Sequence, residues 1–597
     1  MSTSTTTASN VSPPKLASTP SSSTSAQVTI PEIPDGYTIF TENTASILLP
    51  STDEAFLNPV QEFNRDMSVA CIRVWSDELN QAKEERWKRV NEGGVKVKGK
   101  GKKKFKTEGA ESLEKKKGED ADVEIKDQSE VATAPIVSYN PYRFTLLEAL
   151  SATGLRAIRY AKEIPLVRYV IANDLSSGAV EAIKRNVELN NLSEEDAPSL
   201  EKSDFREGKD FKPKVRINEG DACALMYSHR SDRSRVDCVD LDPYGTAASF
   251  IDGAVQCVND GGLLCVTCTD MQVLATNNYP EKCYSNYGGI PVKAEYCHEA
   301  ALRLVLHTIS TSAARYGRYI EPLLSLSIDF YVRLFIRVHS GAANVKKTAS
   351  QNSIFYICSG CQAFYEQPLG KVVEKVSDKT GQTNLLYRQQ TGPPVDGKCP
   401  ECDSALHLSG PMWNGPIHNS EFASKVLNHV EENSANYGTW NRMKGMLTLA
   451  KEELHTPFYF TPGRVSGLFH CVSPSLEEIS NALFHAGFSV SRSHTIAGSL
   501  KTNATRQDIH DVIRNWVKEN PVKPESISEN SPAKKLLSKT PRFEANFDTH
   551  PNAVALSSKK VSLVRYQMNP TPNWGPGKRA TGKRKREINA EEGSSAA

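Results

Sequence analysis

The feature that most limits how this chain can fold is an alternation that starts near Arg143 and continues to Val338. Short apolar runs alternate with amphipathic stretches, as expected of a parallel sheet with helices on its faces. Residues 144–150, 168–172, 215–218, 236–241 and 263–268 read as strands, and 323–338 as a closing strand pair. Residues 157–163 and 176–190 read as helices, the second capped by Ser176. The fold class is therefore α/β. In such sheets ligands bind at the carboxyl ends of the strands, and those ends carry Gly154, Asp174, Asp221 and Asp242.

An acid at the end of the second strand, shortly after a glycine turn, suits a ribose diol. Asp221, closing the third strand, suits an adenine amine. The turn from Ser151 to Arg156 has no complete G-x-G-x-x-G, so it need not be shaped around a pyrophosphate. The pattern favours S-adenosylmethionine over a dinucleotide. Any one of these acids could be a solvated strand-end residue; the four positions in register argue against that reading for the set.

The fourth strand runs into Val239-Asp240-Leu241-Asp242-Pro243-Tyr244-Gly245. The order acid, proline, aromatic, glycine suits methylation of an amino group on a planar base. Conjugation delocalises the lone pair of such an amine and makes it a poor nucleophile. A carboxylate (Asp242) and a carbonyl (Pro243) that both accept hydrogen bonds from the NH2 group localise the pair, and the Tyr244 ring can hold the base by stacking. Asp-Pro also opens ordinary turns, so the motif draws its weight from the upstream pattern.

At this point the chain resembles a known family, the tRNA (guanine-N2)-dimethyltransferases that act on position 26. The carrying residues are Phe56-Leu57-Asn58-Pro59, Asn64-Arg65-Asp66, the run EALSATGLRAIRYAKE from Glu148, Asn173-Asp174, Gly220-Asp221-Ala222 and LDPYGTAASFID from Leu241. Downstream come GPMWNGPIHN from Gly410 and SRSHTIAGSLKTNA from Ser491. The resemblance spans most of residues 37–510. It implies that Arg65, Arg156, Asp174, Asp221 and Ala222 contact S-adenosylmethionine, that Asp242 orients the guanine amine, and that Phe56 and Tyr244 sandwich the base. Tyrosine at 244 departs from the phenylalanine expected there; stacking survives, but the hydroxyl must find a partner. In isolation, Arg65 reads as a surface ion pair and Phe56 as core packing.

Cysteine spacing gives a second signal. Cys358-x-x-Cys361 and Cys399-x-x-Cys402 form two knuckles with turn-forming neighbours Gly360 and Pro400. Four thiolates so arranged suit a structural tetrahedral zinc; a redox pair or free thiols are the alternatives, and His407 is a spare ligand that a closed site does not need. Cys265 and Cys268 have the same spacing but sit inside a strand, where residues three apart point to opposite faces, so no metal is expected there. The other cysteines are scattered and no secretory signal is evident, which implies a reducing compartment.

The expected layout is a disordered tail at 1–30, a Rossmann-like class I methyltransferase domain at 31–340 with a lysine-rich insert at about 92–133, a mixed α+β zinc-containing tRNA-binding domain at 341–550, and a basic tail at 551–597. In the second half, residues 422–435, 440–455, 476–486 and 505–519 read as helices, and 457–460, 468–470 and 488–492 as extended. The net charge of +2 says little about partners, because charge is unevenly placed. Residues 95–118 hold ten lysines against three acids, and six of the nine residues 578–586 are basic. Such runs can engage phosphate or simply be solvated. Lys583-Arg584-Lys585-Arg586 reads as a nuclear import signal or an RNA contact, and Trp574 as an anchor or stacking residue. Residues 1–30 are Ser-rich without acids but carry no arginine, a weak mitochondrial signal. No membrane span and a monomer are expected. Two other function classes fit parts of the pattern: a methyltransferase for another planar amine (DNA adenine or protein glutamine), and a non-catalytic RNA-binding protein.

Overall fold

The computed structural model describes residues 33–51, 57–92, 138–193, 214–523, 525 and 527–557. It opens with a hairpin of β1 (Tyr37–Glu42) and β2 (Ala45–Pro50), followed by the long helix α1 (Glu62–Glu92). The alternating segment then forms β3 (Phe144–Glu148), α2 (Leu155–Glu163), β4 (Val167–Asp174), α3 (Ser177–Leu189), β5 (Lys214–Glu219), α4 (Ala222–Ser228), β6 (Val236–Leu241), α5 (Ala248–Cys257) and β7 (Val258–Cys268). Short helices α6 (Met271–Leu274) and α7 (Pro280–Tyr287) lead into α8 (Cys297–Arg315) and the pair β8 (Arg318–Ile328) and β9 (Tyr331–Ser340).

These strands make one seven-stranded sheet in the order β5-β4-β3-β6-β7-β9-β8. The β3–β4, β4–β5, β3–β6 and β6–β7 pairs are parallel, whereas β9 runs antiparallel to both β7 and β8. This is a Rossmann-like α/β sheet. Its direction of winding reverses between β3 and β6, which places a crevice at the carboxyl ends of those two strands. Strand interiors such as Leu146, Leu147, Val239, Leu241, Leu264 and Val266 are fully buried, as befits a sheet covered on both faces.

Cys265 belongs to the apolar core on one face of the sheet and Cys268 to the core on the other, as the pleat of β7 requires. Beyond the sheet, β10 (Asn352–Cys358), β11 (Phe364–Pro368) and β14 (Leu406–Trp413) form an antiparallel sheet in the order β11-β10-β14, and β12 (Gly370–Val376) pairs with β13 (Thr383–Gln389). Phe422, Val426 and Met446 enter one sheet core, and Phe355, Trp413 and Phe458 the other. The two halves therefore share their apolar interiors.

One local expectation is overturned. Residues 468–470, read as extended, close the helix Pro462–Phe469, which starts on a proline and stops where His470 turns left-handed at φ 56°. A three-residue apolar run has no periodicity with which to tell strand from helix end. No helix among the described residues is long and apolar enough to cross a membrane. Residues 1–30, most of the lysine-rich insert, the basic cluster at 578–586 and Trp574 lie outside the described residues, as does Phe56.

Candidate active site

The rim is assembled by backbone geometry. Gly154 adopts φ 77° as it leads into α2, and a Cβ there would come within 3.3 Å of Ile183 on α3; only glycine fits this turn without strain. Asn173, buried at the end of β4, donates to the carbonyls of Ala149 (2.9 Å) and Gly220 (3.1 Å) and accepts from Asn218 (2.6 Å). One amide thus ties together the loops that follow β3 and β5. Asp174, next in the chain, accepts from the Ala152 amide at 2.9 Å and the Ser176 amide at 3.0 Å. Its carboxylate is fixed in place beside the glycine turn. Asp221 caps α4 by accepting from the Ala224 amide at 2.8 Å, which uses one of its two oxygens. Ala222, the first residue of that helix, is buried.

Asp242 stands at the end of β6, across β3 from Asp174, and Tyr244 follows it with 45% of its surface exposed. Burial raises the Tyr244 hydroxyl above its usual range, and the charges of Asp242 and Asp174 add to the rise. Both acids therefore act on one ring. Gly245, at φ 85°, donates to the Thr269 hydroxyl at 2.8 Å and accepts from the Thr269 amide at 2.8 Å, which clamps the turn. Leu175 is 71% exposed beside Asp174, an apolar surface at the rim of the kind a flat ring covers.

The expected cofactor contacts at the two arginines are engaged within the protein. Arg156 directs Nη2 to Asp242 Oδ2, while Nη1 donates to Ser68 at 3.1 Å and lies 3.7 Å from Asp240. Arg65 is bound through two nitrogens to buried Glu42 and reaches the Asn58 carbonyl at 3.5 Å. Among the described residues its partners are Glu42 and the Asn58 carbonyl, not a rim acid. Sequence reasoning missed Glu148, Tyr160, Asp240 and Arg333, which surround Arg156 from below. Glu148 and Asp240 carried a faint signal, as acids inside largely apolar strands.

Glu148 is almost wholly enclosed. Burial pushes its carboxyl up to about 8; Arg156 opposes the rise, and the anions Asp240 and Asp242 add to it. Because the native value lies above the ordinary 4.5, retention of this proton stabilises the fold fully below about pH 4.5, and the contribution fades as pH climbs through about 8. Glu148→Gln keeps the shape and removes the titration. Its melting temperature, measured on the ligand-free protein, should match the parent near pH 4.5 and exceed it increasingly toward pH 8. A gap that does not change with pH would mean that Glu148 is ionised in the fold.

A model of the family described as N2,N2-dimethylguanosine tRNA methyltransferase matches residues 36–514. The chain belongs to this family. Among curated relatives of this dimethyltransferase family, the chain is 43% identical over 549 residues to the tRNA (guanine(26)-N(2))-dimethyltransferase of Schizosaccharomyces pombe, covering 91% of this chain and 92% of that one. It is 42% identical to the Homo sapiens protein of the same name, covering 91% and 78%. It is 40% identical to the Saccharomyces cerevisiae protein named as mitochondrial, covering 91% and 92%. Among solved structures, Trm1 from Pyrococcus horikoshii in complex with S-adenosyl-L-methionine superposes with a TM-score of 0.55 at 25% identity, covering 80% of this chain and 99% of that one.

In this member of the dimethyltransferase family, the structure brings the four knuckle cysteines together. Their sulfurs all lie within 4.8 Å of one another, with Cys358 to Cys402 at 3.3 Å and Cys361 to Cys399 at 3.6 Å. A zinc tetrahedron with bonds of about 2.3 Å has edges of about 3.8 Å, so the cluster fits such an ion. The amides of Gly360 and Cys361 each donate to Cys358 Sγ at 3.3 Å, an arrangement that favours thiolate. His407 is exposed on β14 and outside the cluster.

A second cluster, His418, Glu453 and His494, has ligand-like proximity but the wrong proton arrangement for a metal. The Ser325 amide donates to His418 Nδ1 (3.3 Å) and the Ser327 amide to His494 Nε2 (3.1 Å). The protons therefore sit on the other two nitrogens, which face Glu453 Oε2 at 3.4 and 2.6 Å. Burial lowers His418 to about 4, which keeps the ring neutral. Lys501 completes the network at 3.3 Å from Glu453. The downstream motif that holds His494 and Lys501 is thus architectural. So is Trp413-Asn414-Gly415, whose first and last carbonyls each accept from Arg303 at 3.0 Å.

Proposed function

We propose that this chain transfers methyl groups from S-adenosylmethionine to N2 of the guanine at position 26 of tRNA, giving N2,N2-dimethylguanosine. The observation that carries the reading is the placement of Asp242-Pro243-Tyr244 at the crevice, beside a rim that already holds Asp174 and Asp221. The donor set fits the proposed cofactor: a rigid strand-end carboxylate for a diol (Asp174), a helix-capping acid for an amine (Asp221), buried Ala222, and exposed Leu175 for a flat ring. When bound, the sulfonium supplies an electrophilic methyl group. Arg65 and Arg156 are proposed to shape that pocket through their carboxylate partners and to touch the ligand at its edge.

Asp242 accepts one hydrogen of the guanine amine and the Pro243 carbonyl the other, so the nitrogen lone pair points out of conjugation. Tyr244 stacks on the base, and Phe56 covers the opposite face. A base inside tRNA must leave its stack to reach this crevice. After the first transfer the nitrogen keeps a single hydrogen, which one of the two acceptors suffices to hold for a second round. Alignment and exclusion of water provide most of the acceleration, and Asp242 or solvent receives the released proton.

The sulfur cluster is proposed to hold structural zinc, and the segment around it to grip the tRNA body. The arginine- and lysine-rich run at 583–586 is proposed to direct nuclear import, with a monomer as the working assembly. The test uses purified protein, labelled S-adenosylmethionine and two transcripts, one with guanine and one with adenine at position 26. Nucleoside mass spectrometry should find dimethylguanosine only from the first. Label appearing equally on the adenine transcript, on DNA or on protein would overturn the reading.

A further inference from the structure

The acid at the crevice is held by a guanidinium that two other buried carboxylates also approach. Arg156 faces Asp242 through Nη2, Asp240 through Nη1 at 3.7 Å, and Glu148 through Nε at 3.9 Å. A single buried guanidinium that bonds Asp242 cannot also neutralise Asp240, which it only approaches at 3.7 Å, and an unpaired buried carboxylate is strongly unfavourable. A second cation is therefore required, and Arg333 supplies it from two strands away. Its Nη1 donates to Asp240 Oδ1 at 2.8 Å and to Thr267, its register partner on β7, at 3.0 Å.

The two arginines also share a hydroxyl. Ser68 on α1 accepts from Arg333 Nη2 at 2.8 Å and from Arg156 Nη1 at 3.1 Å, and donates to the Asn64 carbonyl. Tyr160 occupies the remaining Asp240 oxygen at 2.6 Å. Asp240 is thus fully partnered without Arg156, at zero solvent exposure.

We propose that Arg333 is a positioning residue for methyl transfer: by pairing with Asp240 it frees Arg156 to hold Asp242 at the crevice. The claim rests on the reading of Asp242 as the acid that orients the base amine. Without Arg333, Asp240 becomes a surplus buried anion that competes for Arg156, and Asp242 loses its anchor although neither substrate site has been touched.

Steady-state kinetics on the full chain with tRNA and S-adenosylmethionine test this. Arg333→Met should lower kcat by about 30- to 100-fold while both KM values stay within about threefold, because a transition-state alignment is lost and substrate binding is not. The double variant Asp240→Asn/Arg333→Met, which removes the competing charge, should recover kcat to within about fivefold of the parent, a non-additivity expected only of coupled sites. Arg333→Lys keeps a cation beside Asp240 and should remain within about tenfold of the parent; it serves the same end if Arg333→Met does not fold. Parental kcat in Arg333→Met, or a double variant no better than the single one, overturns the proposal and leaves the pair a packing element. A loss of kcat in Arg333→Lys as large as that expected of Arg333→Met also overturns it. Asp242→Asn is run alongside: full activity in that variant would defeat the Asp242 reading itself, whatever Arg333 does.

Discussion

Replacing Asp242 with alanine is expected to lower kcat for methyl transfer by about a thousandfold or more, with tRNA affinity within about tenfold of the parent. The asymmetry follows from where the side chain sits. Asp242 ends β6 at the crevice, whereas an RNA of this size must make most of its contacts elsewhere. What the carboxylate supplies is an acceptor aimed at one amine, and such aim matters only once the base is in place. Asp242→Asn separates chemistry from architecture: it keeps the shape, but its amide can present a donor where an acceptor is required. Both variants should be slow in single-turnover assays at saturating tRNA. A rate within tenfold of the parent for either one would remove Asp242 from the mechanism.

The second large effect concerns the sulfur cluster. Cys361→Ser, or prolonged exposure to a strong chelator, should release one equivalent of zinc and lower the melting temperature by more than about 10 °C, since structural zinc contributes folding free energy directly. The loss should spread beyond the knuckles. Glu401, between Cys399 and Cys402, accepts from Arg514 at 2.9 Å, contacts His510 at 3.0 Å, and pairs with Lys539 at 3.1 Å. Arg514 in turn donates to Asp511 at 2.6 Å. Loosening the knuckle therefore unpins the helix Arg506–Glu519 and the segment packed on it. Metal analysis paired with hydrogen exchange on that helix checks the chain of cause, and an unchanged melting curve after full metal removal would exclude a structural ion.

Much of the fold was readable because each strand of the parallel sheet is a short apolar run ending in a polar residue. The expectation for 236–241 coincides with β6, and Asp174, Asp221 and Asp242 do converge on one edge. The spacing of four cysteines likewise foretold a cluster. What stayed hidden depends on contacts between distant parts of the chain. Nothing around Arg333 sets it apart from any arginine in a strand; its partner lies 93 positions earlier. Arg156 was assigned to the ligand because the family motif contains it, and its bond to Asp242 appears only when α2 is laid against β6. The N-terminal hairpin had no distinguishing pattern, and the Asn64-Arg65-Asp66 motif on α1 gave no sign that Glu42 and Ser68 are brought beneath the crevice. Periodicity reports which face a residue takes, not which charge it meets.

The two buried imidazoles against β8 have a consequence for how this protein can be divided. β8 is the last strand of the large sheet, and its outward amides at Ser325 and Ser327 donate to His418 and His494, while the Leu323 carbonyl accepts from the Asn419 amide at 2.9 Å. A fragment cut after Ser340 would keep every crevice residue yet bare this margin, an open template for strand-to-strand polymerisation. The margin of the large sheet thus depends on residues from the second half of the chain for its cover, whatever else those residues touch.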